Sequence, residues 1–138
     1  MKKNILITTS ALLLGLLVLA PAQGPTTSVH PMPVSLIRLI ANPLALDGRR
    51  IRVLGYLDLN GLDKGVGVYV TEVDARNFIV DDSIGVDIDE STADRFRGKY
   101  VIMNATYHAP RGPMSDYLNG RLDKVSDIQV WRNAEPSR

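Results

Sequence analysis

The sequence predicts a small all-β barrel with two short helical pieces. Apolar residues recur with a period of two in successive stretches from Ile51 onward, the spacing of strands buried on one face. Glycine-rich turns separate these stretches, as at Asp47-Gly48, Asn60-Gly61 and Asn119-Gly120. Helical spacing is confined to two places. The chain has 138 residues, of which 45% are hydrophobic and 22% charged, enough to fold one domain around a core. It has no cysteine, which excludes disulfides, cysteine–zinc sites, thiol catalysis and a lipid-modified cysteine.

The first element is an address. Met1-Lys2-Lys3 is basic, residues 5–20 are strongly apolar, and Ala20-Pro21-Ala22 offers small residues in signal-peptidase spacing. Cleavage is expected after Ala22. The dense apolar run, residues 11–20, is shorter than the roughly 20 residues that a spanning helix requires. The expected product is exported, periplasmic or secreted, and keeps no stable membrane span. Without Lys2 and Lys3 the mature chain has 14 Lys and Arg against 15 Asp and Glu, a net charge of −1. No basic surplus then remains to hold a phosphate backbone. The expected organisation is signal peptide 1–22, linker 23–34, barrel 35–132 and flexible tail 133–138.

The linker follows from Gly24, Pro25, Pro31 and Pro33. Ser35 is an N-cap for a helix with Leu36, Leu39 and Ile40 on one stripe, and Asn42-Pro43 ends it. The first strand starts near Arg50 and turns Ile51, Val53, Leu57 and Leu59 to one side. Arg52, Tyr56 and Asp58 fall on the other, and Gly55 suggests a bulge or sharp bend. After a hairpin loop at Asn60-Gly61 and Gly65, Val66, Val68 and Val70 mark the second strand. Ile84, Val86 and Ile88 mark the third. Residues 91–97 read as a helical turn capped by Ser91, with Asp94 in the reciprocal position, and stopped by Gly98. The fourth strand, 100–107, presents Val101, Met103, Ala105 and Tyr107 on one face. In the fifth, within 118–131, Leu122, Val125, Ile128 and Val130 break the alternation, which predicts a bulge near Ser126.

Three strands, a short helix and two more strands is the order of the five-stranded OB-fold, a Greek-key barrel. The chain also resembles a group of small exported bacterial OB-fold proteins of uncharacterised function. The residues that carry the resemblance are Val34-Ser35-Leu36-Ile37-Arg38-Leu39-Ile40-Ala41-Asn42-Pro43, Asp47-Gly48-Arg49-Arg50-Ile51-Arg52-Val53-Leu54-Gly55-Tyr56-Leu57 and Gly98-Lys99-Tyr100-Val101. All are scaffold positions, and the resemblance implies no catalytic motif. A looser likeness, in architecture, links the chain to the periplasmic bacterial OB-fold stress proteins.

The chemistry-bearing residues are few. Between Glu72 and Glu90 lie seven acids and one base, Arg76. Asp81, Asp82, Asp87 and Asp89 supply oxygens that suit a hard cation, but their spacing fits no calcium loop, and a solvated face is expected. Arg49, Arg50, Arg52 and Lys64 could line one face with Tyr56 and Tyr69, in the manner of OB domains that stack bases. His108 is the one histidine within the barrel segment, too few ligands for zinc. No serine stands in a nucleophile elbow and no glycine-rich loop opens a helix. Trp131 is expected in the core. The expectation is a non-enzymatic binding module that needs no cofactor and no metal. Its partner would be a small ligand, a glycan or an envelope protein, held by Arg52, Tyr56, Tyr69 and His108. Single-stranded nucleic acid is the alternative, disfavoured by export and by the net charge.

Overall fold

The computed structural model describes residues 30–59, 65–112 and 119–132. The expected leader and its cleavage site, the first part of the linker, the Asn60-Gly61 turn with Lys64 and the tail from 133 lie outside these residues. No helix among the described residues is long and apolar enough to cross a membrane.

The elements in chain order are β1 (Met32–Pro33), α1 (Leu36–Ala41), a 3₁₀ turn (Pro43–Leu46), β2 (Arg50–Leu59), β3 (Val66–Tyr69), α2 (Glu72–Arg76), a second 3₁₀ turn (Val80–Asp82), β4 (Ser83–Val86), α3 (Glu90–Phe96), β5 (Lys99–His108) and β6 (Arg121–Val130). The five expected strands are β2 to β6. They follow the order β2-β3-β4-β6-β5, and β2 pairs again with β5, which closes the sheet. The β4–β6 pair is parallel and the other pairs around the barrel are antiparallel. This is a closed five-stranded barrel of the OB-fold type. β1 adds a short parallel strand to β2 at Ile51 and Arg52, so the stretch read as linker ends inside the sheet.

The period-two faces turn inward as expected except at the strand ends, where Leu59 and Val130 are exposed. Ile51, Val53, Leu57, Val68, Ile84, Val101, Met103, Ala105, Tyr107 and Leu122 form one buried core. Leu36 and Leu39 of α1 join it, and Ser35 caps that helix by accepting from the Arg38 N–H. Phe96 of α3 packs against the same core.

Gly55 does not mark a bulge. The β2–β5 register runs unbroken from Arg50–Thr106 to Leu57–Lys99. Glycine is needed there for close approach: a Cβ would come within 2.5 Å of Leu36 Cδ1 and Val68 Cγ2 and 2.8 Å of the Tyr69 carbonyl oxygen. The helical turn after β4 is capped by Asp89, not Ser91. The Asp89 carboxylate accepts from the Thr92 N–H at 2.9 Å and from the Ser91 and Thr92 hydroxyls. The Ser91 hydroxyl first, then Thr92, hold its carboxyl below the ordinary range. Gly98, at φ +73°, ends that helix as expected.

The expected irregularity near Ser126 is a double bulge. Between the pairs Ile102–Gln129 and Asn104–Ser126, and again before Thr106–Asp123, β6 spends three residues against two on β5. Asp127 (φ +53°) and Lys124 (φ +48°) take the left-handed conformation that these bulges require. Trp131 departs from expectation. It is 43% exposed, just beyond the end of β6, where its N–H extends the ladder to the Tyr100 carbonyl.

Tyr107 gives the core an alkaline limit. Burial, aided by the Asp47 carboxylate, pushes its phenol from 10.0 up to about 12. The folded state holds this proton more tightly than the unfolded chain, so the stability is complete below pH 10 and is lost as pH rises toward about 12. The loss is expected to be roughly 3 kcal/mol. Urea melts on either side of this window should show the fall in the parent protein and a smaller one in Tyr107→Phe.

Candidate functional site

The outer face of the barrel is organised in rungs. Strand pairing sets Tyr69, Tyr56 and Tyr100 side by side, with Trp131 at the end of the row. The next rung holds Leu54, Ile102 and Gln129, the next Arg52, Asn104 and Ser126, and the next Arg50, Thr106 and Asp123. His108 faces Arg121 on the last. The face therefore runs from aromatic, through aliphatic, to polar.

The aromatic row is covered. Tyr69 is fully buried and Tyr56 is 8% exposed, and both pack with Ala75 of α2. The Tyr69 hydroxyl donates to the Leu59 carbonyl at 3.0 Å, and the Tyr100 hydroxyl accepts from the Glu72 N–H at 3.0 Å. Tyr56 and Tyr100 meet edge to face, 5.2 Å between centroids. Burial, with the Glu72 carboxylate adding to it, raises the Tyr56 phenol above its ordinary value. The reading of Tyr56 and Tyr69 as outward contacts is thus corrected: α2, which sequence reasoning missed, lies over them. A capping box builds α2 there, with the Thr71 side chain accepting from the Asp74 N–H and the Asp74 carboxylate accepting from the Thr71 N–H.

Arg52 and His108 share the other part of the face, two rungs apart, or about 13 Å along β5. Between them the double bulge gathers polar groups. The Arg50 guanidinium donates to the Lys124 carbonyl and the Ser126 hydroxyl, both at 2.6 Å. Asn104 Nδ2 donates to Asp127 Oδ2 at 2.7 Å. His108 Nε2 stands 2.9 Å from Asp123 Oδ2, within ion-pair distance, but is not aligned for a hydrogen bond. Asn104 Oδ1, His108 Nε2 and Asp123 Oδ1 are buried polar atoms without a hydrogen-bond partner. Leaving such atoms unpaired is costly.

Arg52 is exposed and forms no ion pair among the described residues. It also borders a groove of about 340 Å³ lined by Pro33, Val34, Leu54 and Ile102. An aliphatic shelf and a forked donor therefore adjoin the orphaned acceptor on Asn104. Asn104 and Asp123 escaped sequence reasoning, which foresaw the bulge near Ser126 but not its part in the site. The available signal was an asparagine in the middle of a strand, where it is disfavoured, opposite the break in alternation near Ser126.

No group of three or more His, Asp or Glu side chains among the described residues is placed to hold a metal ion. Of the four aspartates weighed as cation ligands, Asp89 is engaged as a helix cap.

No family model matches the chain, and no curated protein does. Among solved structures, a crystal structure of a "putative aspartyl-tRNA synthetase" from Leishmania major Friedlin is similar at 15% identity and a TM-score of 0.44. The similarity covers 80% of this chain and 23% of that one.

Proposed function

We propose that the protein is an exported, non-catalytic OB-fold module that binds a polyhydroxylated small molecule or glycan on the outer face of β2, β5 and β6. The observation that carries this reading is the aliphatic groove beside the exposed Arg52, with an unpaired oxygen on Asn104 in the same rung and on Asp123 in the next. Amide and carboxylate oxygens accept from hydroxyls, a guanidinium donates to ring or carboxylate oxygens, and Leu54 with Ile102 suits a C–H face. The groove is at the small end of the range for ligand sites. A nucleic-acid reading is weakened by the cover over Tyr56 and Tyr69, which withdraws both from base stacking.

The test is an NMR titration of the mature protein with neutral and acidic oligosaccharides. Shifts should collect on Leu54, Ile102, Asn104 and Asp123, and Arg52→Ala should weaken binding by roughly tenfold. Arg52 is exposed, so this variant should keep the parent's melting temperature. Shifts confined to other surfaces, or none across the panel, would defeat the reading.

A further inference from the structure

α2 ends in an unusual way. The Phe78 N–H bonds to the Ala75 carbonyl at 3.2 Å, and the Ile79 N–H to the Asp74 carbonyl at 2.9 Å. This is the paired bonding of a Schellman stop, in which the residue after the C-cap is left-handed and usually glycine. Here that residue is Phe78, at φ +52°. A bulky side chain in this conformation costs backbone energy. Burial does not offset it, since Phe78 is 62% exposed. Val73 and Ile79 are exposed as well, and the motif turns the chain back at Ile79. The fold gains nothing visible from an exposed phenylalanine at a site where glycine would be better.

Beyond the Glu72–Arg76 pair, the charge around this knuckle is acidic. Glu72 is paired with Arg76, and Asp74 is spent on the capping box. Asp81 and Asp82 follow directly and form no ion pair among the described residues. Strain held at an exposed apolar side chain, beside unpaired carboxylates, suits a partner that is apolar and basic.

We propose that Val73, Phe78 and Ile79 dock a basic amphipathic segment of a second protein, with Asp81 and Asp82 meeting its cations. This surface is separate from the ligand face proposed above and does not depend on it.

The test uses the mature protein and a labelled helical peptide with one leucine face and one lysine face, with a glutamate-for-lysine version as control. Fluorescence anisotropy should show salt-sensitive binding of the lysine peptide alone. Phe78→Gly should raise the melting temperature and weaken that binding at least tenfold. Because this variant is expected to be more stable, loss of binding cannot be ascribed to misfolding. Asp81→Asn combined with Asp82→Asn should reduce the salt dependence. The proposal is overturned if the lysine peptide does not bind, if both peptides bind alike, or if Phe78→Gly binds as the parent does. Retention on anionic vesicles that persists in Phe78→Gly would also overturn it.

Discussion

Gly120→Ala is expected to abolish cooperative folding, or to lower stability by roughly 4 kcal/mol or more. Gly120 has φ +92°, a conformation that L side chains rarely adopt. A Cβ there would also fall inside the His108 carbonyl oxygen and lie 3.0 Å from two atoms of the Tyr107 ring and hydroxyl. The carbonyl is backbone in β5 and cannot turn aside, so β6 must move. That movement strikes the narrowest seam of the barrel. β4 and β6 pair only at Gly85–Arg121 and Val86–Leu122, and the Gly85 N–H donates to the Gly120 carbonyl itself at 3.1 Å. The Tyr107 hydroxyl bond to the Asn119 carbonyl, at 2.8 Å, is lost in the same displacement. Gly112→Ala is the control. Its φ is +80° but nothing lies within 4 Å, so it should cost only about 1 kcal/mol. Urea denaturation of the two variants should separate backbone strain from steric closure. Equal melting points would show that the β4–β6 seam does not hold the barrel shut.

The barrel was legible because its signals are local and repeated. Each inner strand face places apolar residues two apart, and no other element tolerates that period at such length. Ser35 and Gly98 were legible for the same reason, one as a side-chain cap and the other as a left-handed stop. The break of pattern in β6 announced the bulges, although it could not say that there are two. The errors arise where neighbouring residues compete for one role. Asp89 and Ser91 both suit an N-cap, and the carboxylate prevails by taking three donors at once. Thr71 and Asp74 form a capping box, but they stand in an acidic run that reads equally well as a solvated strand face.

The candidate site was less legible because it is assembled across strands. Parity puts Arg52 on the outer side of β2, where the structure has it, and His108 was read only as a residue at a strand end. Asn104 gains its meaning only from Ser126 and Asp127 across the ladder, and those positions depend on two extra residues in β6. Parity also placed Tyr56 and Tyr69 outside the barrel, correctly, but outside is not exposed once a helix lies over them. A strand pattern reports which way a side chain points and is silent on what covers it.

Tyr69→Ala shows what that difference means in energy. As an exposed ligand contact, Tyr69 could be truncated with little effect on stability. As a fully buried ring beneath α2, it is expected to cost about 3–5 kcal/mol, from lost burial and the cavity left behind. The damage should spread in one direction. α2 rests through Ala75 on Tyr69 and Tyr56, and its first N–H is tied to Tyr100. Amide exchange should therefore quicken through 72–76 well before it quickens in β5 or β6. Tyr69→Phe keeps the ring and removes the hydroxyl that bonds to the Leu59 carbonyl, so it should cost only about 1 kcal/mol. Neither substitution touches the rungs of Arg52 and Asn104, so Tyr69→Phe should bind an oligosaccharide as tightly as the parent. An alanine variant that kept its melting temperature but lost the ligand would return Tyr69 to the binding face and remove α2 as its cover.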